Sequence, residues 1–330
     1  MRSIKLPLWT RRLLGFTPLD APPHVFALDE RRLRYGQLAL DRSGLRLRDF
    51  RQLALPADAF HNSVLGGPLR DPGAFRELVG ALIAGIPGGV RDASLVIPDS
   101  WLRVTYAESG ELPRGGPALD EVLRWKLRRL VPFRVDELRI GATLVSPLPG
   151  QSEPRRLLMG FAVEQLLAQL EDAFTAHGVR LGQISNVSLS LLDALGVSHG
   201  TTSRAFLALT LVEDDGYTLI FARRGEPVLH RYKAFSGAAG ETAPASSVVR
   251  DLRLTRNFLD ENFPGAGLET ILLLAPPAVE ATWLERLEQG LGARAEVIDE
   301  RLLPPVREGA TLPPWRDLAP MIGAARRVIV

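Results

Sequence analysis

The sequence contains no cysteine. Disulfides, thiolate zinc sites and cysteine nucleophiles are excluded together, and the redox compartment stays open, a reducing one being compatible. No run of about 18 apolar residues occurs, so no segment reads as a membrane span. Arg2, Lys5, Arg11 and Arg12 interrupt the apolar stretch that a signal peptide needs, and the expected location is the cytoplasm. Aromatic residues make up 7%, and the formal charge is only +2 over 330 residues, the basic ones being almost entirely arginine. A nucleic-acid binder would carry a more lopsided charge or a dense basic face, so no nucleic-acid partner is expected. Also missing are a Gly-x-x-x-x-Gly-Lys-Ser/Thr loop, His-Glu-x-x-His, Gly-x-Ser-x-Gly and Gly-x-Gly-x-x-Gly. The five histidines, at 24, 61, 177, 199 and 230, never pair at ligand spacing, so each reads as a surface or loop residue and not a metal ligand.

What is present is the composition of a folded protein, 46% hydrophobic, long enough for two lobes with separate cores or for one large domain. The chain is organised around residues 118–163. Leu119, Val122, Leu123, Leu127 and Leu130 recur at helical spacing, after Pro117 and before Pro132, so one side of a helix over 118–131 is built to be buried. Two β-like runs follow at 138–145 and 156–163, then a helix marked by Val163, Leu166, Leu167, Leu170 and Phe174.

Upstream, runs at 24–28, 33–40 and 45–55 read as a β meander, followed by a helix carrying Phe75, Leu78, Val79, Leu82 and Ile83. Strands at 93–97 and 102–106 flank Pro98-Asp99-Ser100. Downstream come a strand at 179–184 and a helix at 188–195, with Asn186 or Ser188 as its cap. The meander pattern then returns at 204–212, 217–223 and 227–235. A helix over 247–263 carries Arg250, Arg253 and Arg256 as a solvated stripe, and a strand at 270–274 precedes a helix with Trp283, Leu284, Leu287 and Leu291 on one side. Residues 1–23 mix Leu8, Trp9, Leu13, Leu14 and Phe16 with basic residues. They read as an arm that is packed on its own domain or disordered, or as a basic amphipathic segment for an acidic membrane or a partner's groove.

The stretch Glu121…Leu130-Val131-Pro132-Phe133-Arg134-Val135-Asp136-Glu137-Leu138, the run at 158–163 and Ala176-His177-Gly178-Val179 resemble the PilM family of type IV pilus assembly proteins, with its GspL-like relatives. Ala319-Pro320…Ile322-Gly323-Ala324-Ala325 is similar to the closing helix of that family. The resemblance is one of element order more than of side chains, and it runs from about Phe26 to the C-terminus. It implies an α/β, actin-like, two-lobed fold with an inserted subdomain of the FtsA/PilM type. The division expected is an arm at 1–23, a first lobe at 24–100, the insert at 101–178, a return to the first lobe at 179–200, and a second lobe at 201–330 with a closing helix at 318–327.

The actin-like fold wraps phosphates in two small-residue hairpin turns, each after an Asp, because small residues let backbone N–H groups approach the anion. Here the first turn is Asp29-Glu30-Arg31-Arg32-Leu33-Arg34-Tyr35, with no glycine or serine after the Asp; Glu30 adds negative charge, which the arginines could offset, yet their bulk blocks close backbone approach. The second holds Glu213, Asp214, Asp215 and Gly216, three acids and one glycine, which Asp215-Gly216 also explains as a simple hairpin turn. Where a Gly-Gly turn would pass the adenosine stands Ala275-Pro276-Pro277-Ala278, and each proline removes an N–H donor. The expectation is therefore a pseudo-ATPase with no catalytic residue, no metal and no ATP–magnesium cofactor, the acids at 29, 30 and 213–215 marking a degenerate site.

On the helix over 118–131, Trp125 lies off the apolar stripe among Glu121, Arg124, Arg128 and Arg129. That is the composition of an interface hot spot, or of a Trp covered by the loop at 110–117 or by the first lobe. The resemblance implies that the insert and adjoining lobe grip the N-terminal tail of a bitopic inner-membrane partner, PilN, and Trp125, Arg128 and Arg129 are the residues chosen for it from helix geometry. The function expected is a non-enzymatic scaffold of a type IV pilus or type II secretion platform, peripheral at the inner membrane, with a motor ATPase and platform protein as further partners. The alternatives are an active actin-like ATP-binding protein of FtsA or sugar-kinase type, and a filament former, for which the ending Arg326-Arg327-Val328-Ile329-Val330 is too short a membrane helix.

Overall fold

A computed structural model describes residues 22–41, 44–113, 115–145, 156–195, 205–223, 225–235, 245–265, 267–303, 306–307 and 312–326. The expected N-terminal arm up to residue 21, the loop at 146–155, the joint at 196–204 and the small-residue stretch at 236–244 lie outside these residues.

Strands β1 (His24–Leu28), β2 (Arg32–Asp41) and β3 (Gly44–Ala54) form the first meander. Helix α1 (Pro72–Ala84) leads into β4 (Asp92–Ile97), which lies parallel to β1, and β8 (Arg180–Asn186) lies parallel to β4. The second half repeats this plan. Antiparallel β9 (Phe206–Val212), β10 (Gly216–Arg223) and β11 (Glu226–Ala234) are followed by helix α5 (Ala245–Asn262), then β12 (Leu268–Leu274) parallel to β9 and β13 (Ala295–Val297) parallel to β12. The sheet orders are β14-β3-β2-β1-β4-β8, with β14 at Val306–Arg307, and β11-β10-β9-β12-β13.

Between β4 and β8 in the chain stands a third sheet, β5-β7-β6, built from β5 (Arg103–Glu108), β6 (Leu138–Val145) and β7 (Arg156–Val163). Helix α2 (Pro117–Arg128) packs on it through Leu123 and Leu127. This is the actin-like architecture with an insert that the sequence implied. The insert also reaches the second lobe, where Tyr106 Oη donates to Pro227 O at 2.8 Å and Arg156 to Val228 O at 2.9 Å.

Both large sheets are buried on both faces, which is why Leu95-Val96-Ile97 and Ile271-Leu272-Leu273-Leu274 are continuous apolar runs and not alternating ones. On β1, Val25 and Ala27 face a core between the lobes while Phe26 and Leu28 face the outer core with α1 and α3 (Glu164–Thr175). The inner core is filled by α4 (Val187–Leu195) and α7 (Trp315–Arg326), one element from each half. These two helices cross so closely that a Cβ on Gly323 would lie 1.6 Å from Ser190 O. Helix α6 (Glu280–Leu291) covers the outer face of the second sheet beside α5, through Trp283, Leu287 and Leu291.

Three expectations need correction. Leu130 is not part of a buried stripe: α2 ends at Arg128, the chain turns away, and Leu130 is 47% exposed. The closing helix begins at Trp315, three residues earlier than the apolar pattern suggests, because Pro314 accepts the first N–H groups of the turn, from Asp317 and Leu318. His230 is not a surface residue but sits buried on β11 between the lobes.

Candidate functional site

A cleft of about 380 Å³ lies between the two large sheets, and both acid-bearing turns line it. Asp29, Glu30, Glu213, Asp214 and Asp215 all face it, and Gly216 sits just behind, paired to β11. Pro276, after β12, closes the third side.

The first turn is stabilised by its own acid. Asp29 Oδ1 accepts from the backbone N–H groups of Arg31 at 2.8 Å and Arg32 at 2.9 Å, while Asp29 N donates to Arg32 O at 3.1 Å. In a phosphate cradle the N–H groups of such a turn point at the anion. Here two of them are already committed to a carboxylate. In the second turn Glu213 N donates to Gly216 O at 2.9 Å, and a Cβ on Gly216 would lie 2.5 Å from Lys233 O. This glycine serves a tight hairpin pairing.

Charge follows the same logic. Six carboxylates line the cleft, those of Asp29, Glu30, Glu213, Asp214, Asp215 and Asp317, against four arginines, Arg31, Arg32, Arg34 and Arg316. Arg34 pairs with Asp29 at 2.5 Å and also with Asp317, which Arg32 approaches to 3.4 Å. Arg31 reaches across the mouth to Asp214 at 3.2 Å. Burial, with the neighbouring Asp215 and Asp214, raises the Glu30 carboxyl above its ordinary range. Burial and the charges of Asp99 and Asp215 raise Glu213 still more, and burial lowers Arg316. As arranged, the first turn does not fit a polyphosphate: the Arg31 and Arg32 N–H groups that would face the anion are already held by Asp29.

Arg316 and Asp317 were missed by sequence reasoning, whereas Arg34 belonged to the first turn as read, among the arginines that could offset its acids. Pro313-Pro314 before Trp-Arg-Asp was the available signal, since a helix starting there carries its second and third residues into the cleft. Also missed was a fully buried cluster beneath the cleft. Asp99, in the turn after β4, accepts from Asn186 Nδ2 at 3.0 Å, from Ser188 N at 2.9 Å and from the Ser188 hydroxyl. His230 Nε2 from the second lobe lies 3.0 Å from Ser188 Oγ and 3.5 Å from Asp99. Asp99 N donates to Glu213 at 3.3 Å, which joins this cluster to the second turn. Asn186 caps α4, its Oδ1 accepting from Leu189 N at 3.1 Å. Among the described residues no group of three or more His, Asp or Glu side chains has metal-binding geometry.

The residues chosen for a partner are on the insert, away from the cleft. Trp125 is 54% exposed, so neither the loop nor the first lobe covers it. The Arg129 guanidinium lies 5.3 Å from its ring centre and the Lys126 amine 5.9 Å. Arg128 instead pairs with Asp136 at 3.2 Å.

No protein-family model matches the sequence, and no curated protein does. Solved structures match in fold. A PilM–PilN type IV pilus biogenesis complex aligns with a TM-score of 0.67 at 13% identity, covering 94% of this chain and 96% of the other. A Bacteroides thetaiotaomicron protein with an actin-like ATPase fold and unknown function aligns with a TM-score of 0.50 at 8% identity, covering 86% and 95%. The cytoplasmic domain of EpsL, an inner-membrane component of the Vibrio cholerae type II secretion system, aligns with a TM-score of 0.46 at 11% identity, covering 93% and 94%. No helix among the described residues is long and apolar enough to cross a membrane. With its two like halves, its insert and its central cleft, the chain has an actin-like fold.

Proposed function

We propose that this chain is a non-catalytic scaffold, a pseudo-ATPase of a type IV pilus or type II secretion platform, held at the cytoplasmic face of the inner membrane by a bitopic partner of PilN type. The observation that carries the reading is the Asp29 carboxylate, which occupies the two N–H groups that a phosphate would need. On the partner side, the reading rests on the fold alignment along 94% of the chain with a PilM–PilN complex. The partner's tail docks beside α2, with Trp125 as the anchor and Arg129 stacked against it. A motor ATPase and a platform protein are the further partners of such a scaffold.

The test has two parts. A ligand that binds only the folded state raises stability by about 2.7 kcal/mol at a hundredfold excess over its Kd. A flat thermal-shift titration with magnesium-ATP up to millimolar is expected. A rise would favour an active actin-like ATP-binding protein instead. Separately, a membrane protein with one transmembrane helix and a short cytoplasmic tail should co-purify with the wild type and be released by Trp125→Ala with Arg129→Glu.

A further inference from the structure

Helices α5 and α6 shield the outer face of the second sheet, and they come close because a side chain on Gly290 would collide with Leu252. Between them runs a groove of about 460 Å³. Its α5 wall is Ser246, Val249, Arg250, Arg253, Leu254 and Asn257, and Gln289 of α6 stands opposite. The wall positions recur every three or four residues, so the groove follows three turns of helix, about 16 Å. Leu254 is 55% exposed and Phe258, one turn further, 47%. Side chains of this size left open on adjacent turns mark a place where something else is buried.

The charge of the groove says what. Arg250 and Arg253 are exposed, and among the described residues neither has an acidic partner. Three of the acids around them are committed elsewhere, while Glu261 and Glu285 are exposed. Asp251 points inward to Tyr217 Oη at 2.6 Å and Arg231 at 2.8 Å. Asp260 is held by Arg256 at 2.9 Å, and Glu288 accepts from Ala295 N at 3.0 Å. Val249 and Leu254 in the groove, Phe258 just beyond its end, and unpaired guanidinium groups along the same helix complement a helix that is apolar on one face and acidic beside it. The concave, helix-length shape favours such a segment over a flat lipid surface.

We infer that the α5–α6 groove is a docking site for an acidic amphipathic helix of a partner protein, separate from the α2 surface and independent of what the central cleft binds. Leu254 and Phe258 supply the apolar contact, and Arg250 and Arg253 pair with the partner's carboxylates.

The probe is a labelled synthetic helix of about four turns, with leucines at helical spacing flanked by glutamates, followed by fluorescence anisotropy on the full chain. Two control peptides accompany it, one of scrambled order and one with lysine in place of glutamate. The expected result is saturable binding of the acidic helix alone, weakened at least tenfold by Arg250→Glu with Arg253→Glu, weakened similarly by Phe258→Ser, and reduced by salt. Circular dichroism confirms that these surface variants remain folded. Equal binding of the scrambled or lysine peptide, or unchanged binding by both variants, would overturn the inference. So would binding to phosphatidylglycerol vesicles without binding to the helix, which would make this face a membrane contact.

Discussion

Arg31 and Asp214 meet at 3.2 Å across the mouth of the cleft, one from each of the two turns that in an actin-like fold would face a ligand's phosphates. Their side chains are 77% and 72% exposed, so the pair is a weak contact between lobes and not a structural pillar. Arg31→Asp is expected to cost no more than about 1 kcal/mol in urea unfolding, with Arg31→Asp plus Asp214→Arg restoring the wild-type midpoint. A double variant no better than the single one would show that the contact does not form in solution.

Deeper in the cleft the magnitude changes. Arg34 and Asp317 are 11% and 10% exposed and are 283 residues apart in sequence. Asp317→Asn leaves the Arg34 guanidinium on Asp29 at 2.5 Å, so it should cost about 1.5–3 kcal/mol, the range of a hydrogen bond to a charged group. Arg34→Met takes this partner from both Asp29 and Asp317 and should cost more, about 3–5 kcal/mol. Equilibrium denaturation of the three proteins tests the order.

Glu213 gives the protein a pH signature. Its carboxyl is raised from the ordinary 4.5 by burial and then by Asp99 and Asp215, so between the unfolded and folded values the folded state binds the extra proton. Stability from this group is therefore complete below about pH 4.5 and declines as pH rises towards the folded value. Glu213→Gln should flatten that slope and raise the melting temperature at neutral pH relative to wild type, the gain shrinking towards acid. Parallel pH profiles of wild type and variant would expose the opposite trend.

Trp125→Ala should leave stability within about 0.5 kcal/mol, because the ring is 54% exposed. Loss of the membrane partner with an unchanged melting curve would identify the ring as a contact. A lowered melting temperature would assign it to the fold instead.

The crossing of α4 and α7 leaves no room for a methyl group. Gly323→Ala is expected to destabilise by about 3 kcal/mol, the upper end of overpacking costs, since the obstacle is the Ser190 carbonyl and not a flexible side chain. The measurement is again urea unfolding.

The meanders at both halves, the helix that carries Trp125 outward and the turn residues at 29–32 and 213–216 were legible in the sequence. Each is written in contiguous residues, through apolar period or turn chemistry. For the same reason the acids of the two turns could be located from the sequence alone. What only the tertiary structure decided was where the charges go. That Asp29 bonds its own turn, that Arg34 finds Asp317, and that His230 of one lobe is buried against Ser188 and Asp99 of the other depend on the two sheets closing around α4 and α7. Periodicity marks which side of an element is apolar, but a buried ion pair is chosen by distance in space, and no local pattern carries the identity of a partner that far along the chain.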